Sequence, residues 1–467
     1  MDFGRRILQL SNQQRRCIIR TCRRCYVSMN LPALNARGVL SNVFPEINKK
    51  VEERLFRRQG AIYAGFDPTA DSLHVGNLLP LIGLLHFQRA GIRPIVLIGG
   101  ATAKIGDPSG KTAEREGLSP DVVQQNIIGI GRSIETIFAN HEAFLWKNHK
   151  DALPSVCILN NYEWYRNMNV VDFLGSIGRH FRMGTMLTRE SVQTRLKTQS
   201  SMSFTEFTYQ VFQGYDWYHL FQNSELECWY QLGGNDQLGN MVAGYEIIRR
   251  KTGSDKPFCF TVPLITNEAG DKFGKTAGNP VWLNEDKLSA YEFYQFFLRL
   301  PDSEVEKFLR LYTFLPEAEI VSIMEAHKDK PELRKAQKKI AEQVTLLAHG
   351  EKGLDIARKG TEAFFNSNAI ALAGLDAETI ATIFGKAFVS YLTVHPGMTV
   401  WDAVMKAKCF GNEDDARRII DAGGLYINYR RAQNPQQILI PGEHILPNNI
   451  TLIRVGKKNY YVIRWNT

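Results

Sequence analysis

No stretch of this 467-residue chain approaches the roughly 18 consecutive apolar residues that span a bilayer, so a membrane is not expected among its partners. Cysteine is sparse. Cys17, Cys22 and Cys25 crowd the start, and Cys157, Cys228, Cys259 and Cys409 are scattered. The one Cys-x-x-Cys pair, Cys22 and Cys25, has no second pair to complete a zinc site. The scattered four suit small apolar residues in a reducing compartment, which excludes a disulfide scaffold. Residues 1–30 lack lysine and hold one acid, Asp2, against seven arginines. No apolar core of 7 to 15 residues follows these charges, which excludes a secretory signal. Internal repeats and low-complexity tracts are also missing.

Three regions differ in charge. The net charge of +9 comes from the arginine-rich start and from the tail after His395, where ten basic residues face six acidic ones. The bulk between them is near neutral, so whole-chain basicity says little about nucleic-acid binding; local patches must carry that argument. The start has the composition of an organelle transit peptide, expected over 1–32 with mitochondrial import, the alternative being a basic RNA-binding arm.

Short apolar runs at Ala61–Phe66, Pro94–Gly100, Val156–Leu159 and Trp229–Gly234 predict buried strands. Helical stretches near 76–90, 120–140, 170–190 and 237–251 alternate with them. This α/β alternation predicts a mostly parallel sheet with helices on both faces, with ligands at the carboxyl ends of the strands. After Trp282 an all-helical region is expected, opened by capping boxes at Ser289/Glu292 and Ser303/Glu306 and broken at His349-Gly350. From His395, helices near 399–408 and 413–422 and short strands at 425–428, 437–440, 451–455 and 460–463 predict a small basic α+β module. Its cations Arg417, Arg418, Arg430, Arg431, Lys457 and Lys458 suit RNA backbone contacts.

Polar clusters follow the strands. His74-x-Gly76-Asn77 opens a helix, where His74 is either a cap or a phosphate ligand and Gly76 admits a close approach. Lys272-Phe273-Gly274-Lys275-Thr276 is either an ordinary exposed loop or one that closes two ammonium groups over a triphosphate. Gly99 to Lys111, with Arg115 beyond, supplies Asp107 for a ligand ammonium and two cations for phosphate oxygens. Its spacing is not that of a Walker loop. Asp236 and Gln237 follow Gly233-Gly234, where Asp236 can accept from ribose hydroxyls. Tyr209, Gln213 and Asp216 share one helix face, ringed by Phe204, Phe207, Phe212, Tyr215 and Trp217. It is either a polar surface or a buried polar face that needs partners.

In this combination and order the residues resemble the class I aminoacyl-tRNA synthetases, specifically the tyrosyl-tRNA synthetases and their mitochondrial members. Tyr63 to Asn77 is similar to the family's HIGH-motif segment, Lys272 to Thr276 to its KMSKS loop, and Gly178 to Thr185 to the mitochondrial branch. The similarity runs from about Asn35 to the C-terminus. The resemblance implies a Rossmann-like parallel-sheet catalytic domain at 33–285, an all-helical anticodon-binding domain at 286–392, and an RNA-binding module like a small-subunit ribosomal protein at 393–467. It implies a mitochondrial-matrix homodimer that uses ATP, with Mg²⁺ on the phosphates and no dedicated protein site, to attach L-tyrosine to tRNA(Tyr). Tyr63 and Asp216 would hold the substrate phenol. Asp107, Tyr209 and Gln213 would hold its ammonium, with Gln231 nearby. Asp67, His74, Gly76, Asn77, Asp236 and Gln237 would line the ATP and adenylate site. Lys272, Lys275, Lys111 and Arg115 would bind pyrophosphate in the transition state. Arg417, Arg418, Lys457 and Lys458 would touch tRNA. Asn77 stands where the motif has its second histidine, and Phe273-Gly274 with Thr276 depart from KMSKS.

Tyr63 with Asp216 favours a phenol over the indole of a tryptophanyl relative. The helical and basic modules argue against a small-molecule adenylyltransferase. Retention of Lys272, Lys275 and Asp216 argues against a non-catalytic RNA-binding protein.

Overall fold

The computed structural model describes residues 31–46, 60–111, 113–115, 117–197, 201–266, 273–276, 279–365, 369–375, 379–380, 383, 389–432, 434–456 and 459–466. The expected transit peptide lies almost wholly outside them. Two compact units are present. One spans the described residues up to Asn284 together with Asp302–Pro331; the other spans Glu285–Pro301 together with the described residues from Glu332 on.

Six strands carry the first unit: β1 (Asn42–Phe44), β2 (Ala61–Phe66), β3 (Arg93–Ile98), β4 (Cys157–Asn160), β5 (Cys228–Gly234) and β6 (Phe258–Val262). Across the sheet the order is β1-β6-β5-β2-β3-β4, parallel throughout except for β1, which pairs antiparallel with β6. Ile62, Ile95, Val96, Leu97 and Leu232 are buried, as strands covered on both faces require. The two strands on the β1/β6 side were not among those read from the sequence.

Helices α1 (Val75–Arg89), α2 (Pro120–Asn140), α3 (Phe204–Gln222) and α4 (Leu238–Thr252) cover this sheet. Helix α2 starts at Ser119, whose hydroxyl accepts from Val122 N–H, with Pro120 in the first turn where its missing donor costs nothing. Helix α4 stops at Gly253, whose φ of 67° few other residues adopt. The single helix expected at 170–190 is instead three short ones, Val170–Ser176, Met183–Leu187 and Glu190–Leu196. Gly175, Gly178 and Gly184 fall within this stretch and weaken a continuous helix.

The strand order reverses beside β2, because β3 and β4 add on one side of it and β5 and β6 on the other. The carboxyl ends of β2 and β5 therefore flank a topological switch point, where such sheets bind ligands. Close by, β7 (Lys275–Thr276) and β8 (Asn279–Pro280) form a small ribbon. Helices α5 (Val305–Tyr312) and α6 (Glu317–Asp329) complete the unit. Arg37 closes the end of α5 by donating to the carbonyls of Arg310, Thr313 and Leu315. The capping box expected at Ser303 is not formed: α5 begins after Glu304, no side chain among the described residues caps it, and Ser303 sits in the preceding turn.

In the second unit, the helix Ala290–Leu298 opens with the expected Ser289/Glu292 capping box. Helix α7 (Lys335–Phe365) breaks at Gly350, at a φ of 68°. A five-stranded sheet follows: β9 (Val389–Thr393), β10 (Leu425–Ile427), β11 (Arg430–Arg431), β12 (Ile450–Val455) and β13 (Asn459–Asn466), ordered β11-β10-β12-β13-β9. Helices α8 (Val400–Lys406) and α9 (Glu413–Asp421) pack on one face through Val404, Ala416 and Ile420. Ala363, Leu372 and Leu375 pack with Ile450, Leu452 and Val462 in a second core. The run 437–440 is not a strand; it makes only an isolated bridge from Ile438 to Thr399. Among the described residues, no helix is long and apolar enough to cross a membrane.

Candidate active site

Tyr63 lies mid-strand on β2 and Gln231 is its register partner on β5. Both are buried, and among the described residues the Tyr63 hydroxyl and the Gln231 Oε1 have no hydrogen-bond partner. Orphaned polar atoms at this depth are costly, so they mark a place where a polar ligand group fits. Burial, then the nearby Asp216 charge, holds the Tyr63 phenol well above its usual ionisation range; it stays a neutral donor.

Asp216 is 3 % exposed on α3. Its Oδ1 accepts from Trp164 Nε1 at 2.9 Å and the Tyr165 hydroxyl at 2.8 Å; its Oδ2 accepts from Asn161 Nδ2 at 3.1 Å. Burial pushes the carboxyl up to about 7, and these three donors oppose that rise. Asn161, Trp164 and Tyr165 were not singled out in the sequence, although they follow β4 in the position that betrayed the other clusters.

Tyr209, two turns earlier on α3, donates to Asp67 Oδ2 at 2.8 Å, and Thr102 donates to Asp67 Oδ1 at 2.7 Å. Burial raises Asp67 to about 6, against those two bonds and the Arg115 charge. Asp107, beyond β3, accepts from Gln237 Nε2 at 2.7 Å, from Ser109 N–H at 3.0 Å and from Asn240 Nδ2 at 3.4 Å. Asp236 and Gln237 form the turn after β5. The structure thus brings Asp67, Tyr209, Asp107 and Gln237 into two linked carboxylate clusters at the switch point. Gln213 is half-buried on the same helix, and Lys111 and Arg115 are exposed in the segment after Asp107.

Gly99 is required by this packing. A Cβ there would stand 2.0 Å from Asp67 Oδ1 and 2.3 Å from Thr102 Oγ1. Gly99→Ala must therefore break the Thr102 bond or displace the carboxylate. If the site serves the activity that the resemblance implies, we expect at least a tenfold loss of kcat/KM for the amino acid, about the worth of one hydrogen bond to a charged group. Steady-state exchange kinetics check this, and unchanged constants would place Asp67 clear of the substrate.

His74 is the N-cap of α1. Its Nδ1 accepts from Gly76 N–H at 3.0 Å, while Asn77 Oδ1 accepts from His74 N–H at 3.1 Å. Each supplies a side-chain acceptor to an orphan N–H of the first turn, in the manner of a capping box. Both readings of His74 are compatible, because capping through Nδ1 leaves Nε2 as the donor, and capping through Oδ1 leaves the Asn77 amide nitrogen as donor. These donors sit at a helix N-terminus, which favours negative charge.

The glycine-lysine loop is stitched to this helix start. Val75 N–H donates to Val281 O and Val281 N–H to Gly274 O. Gly274, at a φ of 94°, approaches so closely that a Cβ would lie 3.2 Å from Gly76 N. Phe273 packs at a tilt against Phe308 and Tyr312 of α5, with ring centres 4.3 and 6.1 Å apart. Lys272 and the side chain of Lys275 lie outside the described residues, as do Lys457 and Lys458. Arg417 lies over the Trp401 ring and pairs with Glu413, and Arg418 pairs with Asp415. Among the described residues no group of three His, Cys, Asp or Glu side chains is placed to hold a metal ion.

The family described as tRNA synthetases class I (W and Y) matches residues 57–366. The chain is 50 % identical over 451 residues to the mitochondrial tyrosine–tRNA ligase of Drosophila melanogaster, covering 96 % of this chain and 97 % of that one. It is 47 % identical to the Homo sapiens mitochondrial tyrosine–tRNA ligase, covering 93 % and 91 %. Its fold matches that of a C-terminally truncated Coccidioides posadasii mitochondrial tyrosyl-tRNA synthetase with a TM-score of 0.63 at 31 % identity, over 77 % of this chain and 98 % of that one. On that family match over more than half of its length, and on identity at this level across nearly the whole of both chains, the chain belongs to the class I tRNA synthetases, in the family of mitochondrial tyrosine–tRNA ligases.

Proposed function

We propose that the chain attaches L-tyrosine to tRNA(Tyr) at the expense of ATP, in the mitochondrial matrix, through a tyrosyl-adenylate held at the β2/β5 switch point. The observation that supports this best is the unpartnered Tyr63 hydroxyl buried beside Asp216. A substrate phenol completes both, accepting from Tyr63 and donating to the carboxylate. The substrate ammonium sits against Asp107, Tyr209 and Gln213, with Gln231 near. Asp67, His74, Gly76, Asn77, Asp236 and Gln237 line the ATP and adenylate site.

In the first step the tyrosine carboxylate oxygen attacks the α-phosphorus of ATP, and the bond to the bridging oxygen breaks to release pyrophosphate. The attacking group is already ionised, so no protein base is needed. Alignment and charge stabilisation do the work. The His74 and Asn77 donors, the helix N-terminus and Lys272, Lys275, Lys111 and Arg115 meet the charge that builds on the phosphates. Mg²⁺ arrives with the ATP phosphates as part of the substrate. In the second step a ribose hydroxyl at the tRNA 3′ end attacks the activated carbonyl and AMP leaves. Those helices of residues 286–392 that belong to the second unit face the anticodon, and the module at 393–467, with Arg417, Arg418, Lys457 and Lys458, grips tRNA. The working form is a homodimer that binds tRNA across both subunits. Val170, Val171, Leu174 and Met183, exposed apolar side chains between β4 and α3, suit a second copy. Charging of tRNA(Tyr) with labelled tyrosine tests the whole reading; no acid-precipitable product would refute it.

Asn77 carries a specific consequence. An amide caps His74 N–H and offers its nitrogen at every pH. A histidine there caps only while its Nδ1 is unprotonated, and that state is lost as pH falls through about 6.5. Asn77→His is therefore expected to steepen the acid limb of the activation profile between pH 7 and 6. A steeper limb in the native asparagine form would contradict this.

A further inference from the structure

Tyr165 packs its ring against Phe173, Phe212 and Tyr215. Its hydroxyl has one proton and faces two oxygens, the Phe212 carbonyl at 2.9 Å and Asp216 Oδ1 at 2.8 Å. When Asp216 is ionised both are acceptors, so one proton serves them alternately. When Asp216 is protonated, Oδ1–H donates to the Tyr165 oxygen, Tyr165 donates to the Phe212 carbonyl, and every group is satisfied. The other contacts, from Asn161 and Trp164, fit either state.

We propose that Tyr165 is a positioning residue that governs the protonation of Asp216, and through it the affinity for the substrate hydroxyl, by turning its single proton between the Phe212 carbonyl and the Asp216 carboxylate. This rests on the reading that Asp216 accepts from that hydroxyl. The charged and titratable groups around Asp216 are few. Asp67 repels its charge, and Tyr63, Tyr209, Tyr215 and Tyr165 are neutral phenols held above their usual range. His219, kept neutral by burial, stacks on Trp164 at 4.5 Å. Burial pushes Asp216 up to about 7, which puts the switch at neutrality. Below that pH the carboxyl is protonated and meets a phenol only as a weaker, uncharged acceptor; above it, Tyr165 turns to the carboxylate. Removing the Tyr165 hydroxyl takes a donor from the ionised form and moves the ionisation to higher pH.

The test is ATP–pyrophosphate exchange with the full chain and its Tyr165→Phe variant, from pH 6 to 8.5. The variant should show a KM for tyrosine about tenfold higher at pH 7. The gap should close toward pH 8.5, with kcat and the KM for ATP within about twofold. Asp67, raised to about 6, contributes the same acid limb to both proteins and so cancels. An equal rise at every pH, or none, overturns the inference. Should the variant fail to fold, calorimetry of tyrosine binding to the native chain in two buffers at pH 6.5 decides: proton release is expected, and its absence overturns the idea. A native chain that shows no tyrosine exchange at all overturns the underlying reading as well.

Discussion

Replacing Asp216 with alanine is expected to lower kcat/KM for tyrosine by about 10³-fold in ATP–pyrophosphate exchange. The carboxylate would be the one ionic acceptor for the substrate phenol, and a hydrogen bond to a buried charge is worth about 1.5–3 kcal/mol. Its removal also strands the Asn161, Trp164 and Tyr165 donors, each at a further cost of about 1–3 kcal/mol. Part of that cost falls on the folded state and part on substrate binding. About 4 kcal/mol expressed at the site corresponds to the 10³-fold loss. Asp216→Asn keeps the volume and an acceptor oxygen, so it should fold while still losing most tyrosine activation. Exchange near the native level in either folded variant would show that the phenol is held elsewhere.

Lys275→Ala is expected to lower kcat of tyrosine activation by 10²- to 10³-fold, the range for removing one preorganised donor from a developing charge, with KM for tyrosine within about twofold. The backbone supports this placement. Lys275 pairs with Pro280 across the β7/β8 ribbon, Gly274 is bonded to Val281, and Gly274 presses on Gly76 at the helix N-terminus. On the proposed function, a lysine rooted there would act on the phosphate end of the site, away from the phenol pocket in the β2/β5 strands. A tyrosine KM that rose as steeply as kcat fell would contradict a role confined to the transition state.

The placement of the polar clusters is legible in the sequence: Asp107, Asp236 and the helix start at His74 each follow a strand, and the parallel pairing of β2, β3, β5 and β6 puts those strand ends on one edge of the sheet. The capped state of His74 was also foreseeable, since a capping box has a fixed spacing. What spacing did not reveal was pairing across distance. Asn161, Trp164 and Tyr165 meet Asp216 from some 50 residues away, and Thr102 meets Asp67 from 35. The residues 302–331 were equally opaque: their amphipathic helices read as more of the helical region, yet Phe308 and Tyr312 pack on Phe273 in the first unit. The short edge strand β1 has only three residues, too few for a period to show.

On the proposed function, the pocket's polar groups would set its selectivity. A buried Tyr63 hydroxyl and Asp216 carboxylate would gain a partner from tyrosine and none from phenylalanine, a rejection of which tyrosyl-tRNA synthetases are the standing example. The most direct measurement is therefore amino-acid-dependent ATP–pyrophosphate exchange by the purified chain, with phenylalanine and tryptophan offered alone and as competitors. Exchange driven by tyrosine, and insensitive to a large excess of either competitor, is the predicted result. Exchange driven equally by phenylalanine or tryptophan would contradict the assignment of the Tyr63–Asp216 pocket.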